Sequence, residues 1–402
     1  MRSSPLRIPS LDLFRGIAVA CVFLHHCLEA AFGASQLPWA GWTRDFSFSP
    51  GHRPLILLYP LTVGWWGVSV FFVISGFCIH LSANRQAHEG MSGFFTRRFF
   101  RIYPPYLAAL LFFALVWPWT RTSLHSDSGR MQIASHALLV HNFVGEWFFG
   151  INPSFWSIAV GAQLYVIYPL LLLCVSRWTW RKTIVFLAIG EATLRLNFGI
   201  YFWLTGQHPP SWLSANPFVY WFSWALGALL AEAHLRERTI PLADLSPWVW
   251  TCAFLLTSVV RPLSDLGFFF GAMLAANLLA RQLTASAPAA GRALSTPATS
   301  AREPRWKRHL HSAGLWSFSI YLVHEPLLEA FSRTVSPRLA GVPGGQWLVF
   351  LANAGLWFAI VPLGALLYRW VELPSIALGE MSLYLERNSW LCTTACSSVR
   401  RP

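Results

Sequence analysis

Leu11-Asp12-Leu13-Phe14-Arg15-Gly16-Ile17-Ala18-Val19-Ala20-Cys21-Val22-Phe23-Leu24-His25-His26 opens an apolar run that continues to Phe32. As a helix, this run is long enough to cross the hydrocarbon core of a bilayer, which takes about 20 residues. Arg2 and Arg7 precede it, but no convincing cleavage site follows, so it reads as a first span rather than a removable signal. Two residues break its apolar character. Arg15 and His26 are eleven positions apart, which at about 100° per residue returns to within roughly 20° of one face, with a rise of about 16 Å. His25 points about 80° away on the same arithmetic. Ionisable groups inside a span are costly and mark function by default. A neutral imidazole near mid-membrane suits general base work, although a His bonded between helices is the competing reading. Asp12 stands one turn before Arg15 and can pair with it.

The rest of the chain resembles this first stretch in composition. Of 402 residues, 55% are hydrophobic and 12% charged, against about a quarter charged in soluble proteins. Further apolar runs fall near 59–82, 102–120, 156–176, 183–205, 217–234, 247–261, 266–281, 313–332 and 346–370. The expected fold is therefore all-α, a polytopic transmembrane bundle of about ten helices. With the N-terminus inside, 21 of the 30 Lys and Arg fall on inner segments and seven on outer ones, leaving Arg15 and Arg195 within helices. Short cytoplasmic loops accumulate such residues, so both termini are expected in the cytoplasm. That topology also accounts for the net charge of +13 without nucleic acid, because the Arg residues are scattered between apolar runs rather than gathered in one stripe.

No outer domain, internal repeat or metal-ligand spacing is visible. Most cysteines sit singly inside apolar runs, and only Cys392 and Cys396 lie close together, so no metal site is expected. The outer loops near 33–58 and 121–155 are long enough to cover a substrate. The inner stretch 282–312 reads as a flexible linker ending in a basic patch, Arg305-Trp306-Lys307-Arg308, which topology or anionic lipid would explain.

Five later segments carry chemistry. Gly67-Val68-Ser69-Val70-Phe71-Phe72-Val73-Ile74-Ser75-Gly76-Phe77 has small residues suited to close helix packing. Arg97-Arg98-Phe99-Phe100-Arg101 places Arg98 and Arg101 on one helix face, where they suit a phosphate-bearing ligand or simple interfacial anchoring. Trp156-Ser157-Ile158-Ala159-Val160-Gly161-Ala162-Gln163-Leu164-Tyr165 is a third. Ser317-Phe318-Ser319-Ile320-Tyr321-Leu322-Val323-His324-Glu325-Pro326 sets a second intramembrane His beside a carboxylate, and the last span ends at Glu372-Leu373-Pro374.

In this order, the segments resemble acyltransferase family 3, the integral-membrane O-acyltransferases, over a membrane domain from about 8 to 380. The region 381–402 is left as a solvated cytoplasmic tail without structure. The resemblance implies transfer of an acyl group, most often acetyl, from cytoplasmic acyl-CoA to a hydroxyl of a cell-surface or exported carbohydrate or glycolipid. The donor is a substrate, with no tightly bound cofactor, and the location is the inner membrane, multi-pass. By the same resemblance His26 and Arg15 are catalytic, while Arg98 and Arg101 bind the CoA side. Asp12, Ser75, Trp156, Ser157, Gln163, Tyr165, His324 and Glu372 bind substrate or support the site. His26 acts either as a base on the acceptor hydroxyl or as a transient acyl carrier.

One position departs from the family. A Glu usually stands where this chain has Gly161, and if that Glu orients the His or holds the acceptor, its loss lowers activity. Glu146 and Glu191 are the candidate substitutes. Other readings are acylation of a small glycosylated metabolite, a sugar or lipid transporter, and a non-catalytic relative, the last favoured by Gly161. A transporter usually shows paired repeats with broken helices, which are not found here.

Overall fold

A computed structural model describes residues 8–33, 36–47, 49–50, 52–119, 122–286 and 304–398, and most of them are helical. Strand pairing among them is confined to a two-residue antiparallel hairpin, Trp39–Ala40 against Thr43–Arg44, and one bridge from Thr43 to Val260. Helix occupies every one of the ten apolar stretches. Among the described residues, six helical segments are long and apolar enough to cross a membrane: Ser10–Phe32, Gly64–Arg85, Gly90–Val116, Trp180–Thr205, Leu266–Ala285 and Gly345–Arg387. A pair bent by 47°, Phe155–Val166 and Tyr168–Trp178, makes a seventh if counted as one span.

The longer helices are α1 (Pro9–Phe32), α2 (Gly67–Arg85), α3 (Gly90–Leu111), α4 (Asp127–Ala137), α5 (Phe155–Val166), α6 (Tyr168–Trp178), α7 (Trp180–Thr205) and α8 (Trp221–Leu235). There follow α9 (Pro247–Val259), α10 (Leu266–Ser286), α11 (Arg305–Leu315), α12 (Ser317–Leu339), α13 (Gly345–Gly355), α14 (Trp357–Leu367) and α15 (Leu373–Ser398). Three of the expected spans fall to α8, α9 and α12. The first two are short at 15 and 13 residues, and α12, at 23, carries Glu325, Glu329 and Arg333.

The centre of the bundle is α2, whose residues are apolar or small on every side and mostly buried. Such a helix has no face to offer water and must be surrounded. It crosses α8 with the backbones in contact. A Cβ on Gly76 would fall inside the Trp224 carbonyl, and one on Gly227 inside the Val73 carbonyl, so only glycine permits this approach. A second crossing of this kind joins α1 to α11, where Gly16 faces the Leu310 carbonyl and Gly314 the Asp12 carbonyl.

Local sequence sets the helix ends that matter. Pro9 starts α1 where a missing N–H costs nothing, and Gly33 ends it at φ 74° with its N–H returning 2.9 Å to the Glu29 carbonyl. In α3, Pro104 cannot donate to the carbonyl of Phe100 four residues earlier. Ser375, at the start of α15, donates to that carbonyl instead, which ties α15 to α3 beside Arg101.

One expectation is corrected, and another falls largely outside the described residues. The tail from 381 continues α15 as helix to Ser398, because nothing in Leu378 to Tyr384 interrupts a helix already nucleated and anchored by Ser375. Of the stretch 282–312, residues 287–303, where the linker was expected, lie outside the described part, as do the side chains of Cys392 and Cys396; the basic patch after it forms the first turn of α11.

Candidate active site

The helices bring two polar clusters to opposite ends of one face of α1. At the Arg15 end lies a cavity of about 1010 Å³ including its open mouth. Arg15, Arg98 and Arg101 line it together with Ser75, Cys78, Ser157, Gly161, Tyr165 and Tyr321, and no carboxylate is among the lining residues. Arg15 reaches Asp12 at 3.3 Å, the expected i,i+3 pair, and Cys78 Sγ at 3.0 Å. Arg98 and Arg101 are brought to the same cavity because they are three apart on α3, whereas neighbouring Arg97 turns to an ion pair with Glu89. The Nε of Arg98 is buried with no hydrogen-bond partner, and its guanidinium stands 5.8 Å over the Phe94 ring. Arg101 is 3.9 Å from Glu372, a buried carboxylate that also accepts from Ser319 at 2.9 Å. Three guanidiniums share this low-dielectric wall with one close carboxylate partner for Arg15 and one loose partner for Arg101. The arrangement attracts an anion and offers it planar, multi-donor contacts.

Polar side chains lead from the cavity to the other end. Ser157 and Tyr321 both line it, and their hydroxyls are 2.8 Å apart. Ser157 also donates to the Ser154 carbonyl at 3.2 Å, and Ser154 Oγ donates in turn to Glu325 Oε2. The other carboxylate oxygen, Oε1, is 3.8 Å from His26 Nδ1, and Glu29 comes within 3.4 Å of the same nitrogen from the next turn of α1. His324 completes the group, its ring 5.5 Å from that of His26 and 5.1 Å from Tyr321. The loop at 121–155 contributes directly: Asn152 donates to the Leu322 carbonyl at 2.9 Å, beside the turn that holds Ser154. The same loop buries α4 against α3, where Tyr103 and Tyr106 donate to the Ala137 and His136 carbonyls.

Not every residue singled out in the sequence meets these clusters. Trp156 stacks on Phe148 and packs near Tyr220. Gln163 is engaged with Asn142 and the Leu139 carbonyl, which fastens α5 to the turn after α4. Ser75 bridges Tyr165 at 3.1 Å and Trp224 at 3.3 Å on the cavity wall. His25 is spent on the Leu61 carbonyl at 3.0 Å. Neither candidate substitute for the absent Glu reaches the site. Glu191 is committed to Arg195 at 2.9 Å and Ser223 at 2.7 Å, and Glu146 lies exposed on the Gly145–Trp147 turn. The carboxylates that stand at His26 are Glu325 and Glu29. Glu325 was legible as the neighbour of His324, but its approach to His26 depends on α1 and α12 packing side by side. Gly161 itself faces the arginine cavity, and a Cβ there would meet nothing within 4 Å.

The chain is similar to several known proteins. Acyltransferase MdmB of Streptomyces mycarofaciens is 28% identical over 93% of this chain and 92% of its own length. O-acetyltransferase PaAT-1 of Phomopsis amygdali is 22% identical over 92% of this chain and 83% of its own. Peptidoglycan O-acetyltransferase OatA of Listeria monocytogenes is 24% identical over 52% of this chain, which spans only 31% of that protein. No solved structure matches. A family model described as an acyltransferase domain matches residues 8–369, and with its set of membrane-length apolar helices this chain belongs to that family of multi-pass membrane acyltransferases.

Proposed function

We propose that this protein is an O-acyltransferase that moves an acyl group, acetyl in the simplest case, from cytoplasmic acyl-CoA to a hydroxyl of an exported or cell-surface carbohydrate. Both termini and the Arg15 end face the cytoplasm, the chain crosses the inner membrane ten times, and residues 8–380 form the membrane domain. The observation that carries this reading is the pairing of an arginine-lined, carboxylate-free cavity with a His–carboxylate cluster on one helix. The two are about 16 Å apart along α1. A donor that binds by its phosphates and reacts at a distant carbonyl fits that separation, and a CoA thioester has this form. The one relative above whose name specifies an acceptor acts on peptidoglycan, itself a carbohydrate polymer.

In this mechanism Arg98 and Arg101 hold the phosphates, and Arg15 closes the inner wall of the path taken by the thioester arm. Asp12 and Glu372 orient Arg15 and Arg101. Ser75, Tyr165, Ser157 and Tyr321 line the arm's path, while Trp156 and Gln163 keep α5 in place. His26 Nε2 or Nδ1 removes the proton of the acceptor hydroxyl as its oxygen attacks the thioester carbonyl carbon. The C–S bond breaks, the ester forms, and the thiolate takes the proton back from His26. Glu325 steadies the imidazolium between these steps, as a carboxylate beside a catalytic His does elsewhere.

The test supplies membranes containing the protein with acetyl-CoA labelled in its acetyl group and follows label into polysaccharide, glycolipid and small glycoside fractions, beside His26→Ala. Label in a carbohydrate fraction that disappears on mutation is expected. Equal label in both samples, or none in either, overturns the reading. Label confined to small glycosides retains the reaction and replaces the acceptor.

A further inference from the structure

The cluster at the His26 end has a property that the acyl-transfer reading leaves unused. His26, His324 and Glu325 each present one ligand atom, and these atoms all lie within 4.8 Å of one another. We propose that the three residues bind one divalent transition-metal ion of the Zn²⁺ class, and that the ion regulates the site by occupying His26.

His324 is the first argument. Its Nδ1 lies 2.9 Å from the Tyr321 carbonyl, which can only accept, so Nδ1 carries the hydrogen and the lone pair of the neutral ring is on Nε2. That Nε2 is buried without a hydrogen-bond partner on a residue that is 0% exposed. A buried polar atom left unsatisfied costs about 1–3 kcal/mol and calls for an explanation. An imidazole with one nitrogen donating to a backbone carbonyl and the other bare is the form in which metal-ligating histidines are usually held.

Glu325 is oriented in the corresponding way. Ser154 donates to Oε2, which leaves Oε1 directed to His26. Two imidazoles and one carboxylate match the three-ligand zinc sites that keep a fourth position open, and they offer too few oxygens for Ca²⁺ or Mg²⁺. Ligand atoms on a tetrahedral zinc stand about 3.3 Å apart, so the group has to contract by up to about 1.5 Å. His26 is the member able to move, because its side chain keeps 21% of its surface exposed, and the 54% exposed Glu29 beside it marks an entry path and offers a fourth ligand.

Metal binding stands on this geometry alone. The regulatory consequence rests on the proposed base role of His26: the ion and the acceptor hydroxyl require the same lone pair, so a filled site is inhibited.

The experiment uses the full chain purified in detergent, stripped with a chelator, loaded with Zn²⁺ or Co²⁺ and desalted. Metal content is read by elemental mass spectrometry, and coordination by the visible absorption of Co²⁺. One equivalent is expected in the unmodified protein and in His309→Ala, a control on an exposed His outside the cluster. His26→Asn and Glu325→Gln are expected to lose it, and Ser154→Ala to bind about 10- to 100-fold more weakly. His26 is partly exposed, so its variant stays folded, as monodisperse elution verifies. No retained metal in the unmodified protein, or equal metal in His26→Asn, overturns the site. Acyl transfer unaffected by Zn²⁺ in protein that holds one equivalent overturns the inhibition alone. Zinc held by a protein with no acyl transfer, stripped or loaded, supports the site and overturns the enzymatic reading instead.

Discussion

The two ends of α1 use opposite electrostatics. Around Arg15 three cations line an open cavity that no carboxylate enters, whereas around His26 two imidazoles and two carboxylates are packed against each other with a chain of hydroxyls behind them. An excess of one charge sign suits holding a ligand of the other sign. A near-balanced group of titratable side chains suits moving a proton. On the proposed function, the difference separates binding from chemistry along one helix, with Ser157 and Tyr321 joining the two regions.

The largest test of this separation is His26→Ala, expected to lower acyl transfer by at least about 10²–10⁴-fold with donor binding retained. A measured fall in donor affinity of similar size would merge the two regions into one. Next, Glu325→Gln keeps the shape of the cluster and removes its charge, so kcat should drop by about 10²-fold while KM for the donor holds. Equal rates would show that Glu29 alone serves His26. Third, Arg98→Ala with Arg101→Ala is expected to raise KM for acyl-CoA by about 10- to 100-fold, about 1.4–2.7 kcal/mol for the two contacts together because water competes at the open mouth of the cavity, with protein still in the membrane. Unchanged donor dependence removes both residues from the site. Smaller still is Gly161→Glu. Open space receives the side chain, so folded yield should not change, and a carboxylate among three arginines should weaken donor binding less than 10-fold. A rise in kcat would instead mean that the family's carboxylate was limiting here.

A separate prediction concerns the frame that holds both regions. Gly76→Ala sets a methyl against the Trp224 carbonyl at the α2–α8 crossing and should destabilise by about 1–3 kcal/mol, seen as a lower melting temperature in detergent, while Gly355→Ala, with free space around it, should not.

Much of the Arg15 end was legible in advance. Spacing of i,i+3 on single helices already places Asp12 with Arg15 and Arg98 with Arg101, while the packing of separate helices brings the two pairs and Glu372 to one end. The His26 end was legible only in part. His26 and His324 were visible as ionisable groups within apolar runs, but Glu325, Ser154 and Tyr321 reach the neighbourhood of His26 from segments more than a hundred residues away. Of the two roles open to Gln163 and Trp156, substrate binding or structural support, their contacts match the second: their side chains point into loop packing rather than the cavity, which depends on where α5 meets the turn after α4.

By itself the sequence determined the helical, membrane-embedded class, since 22-residue apolar runs leave the backbone no partner in lipid but its own next turn. It also determined the face that Arg15 and His26 share, because helical periodicity is local. Tertiary structure alone decided which distant carboxylate stands beside His26, that Gly161 opens into the arginine cavity, and that His324 keeps a bare nitrogen in the cluster. Those facts depend on where separate helices touch. That is set by glycine crossings at Gly16, Gly76, Gly227 and Gly314 and by the Ser375 bond to Phe100, and no local pattern encodes it.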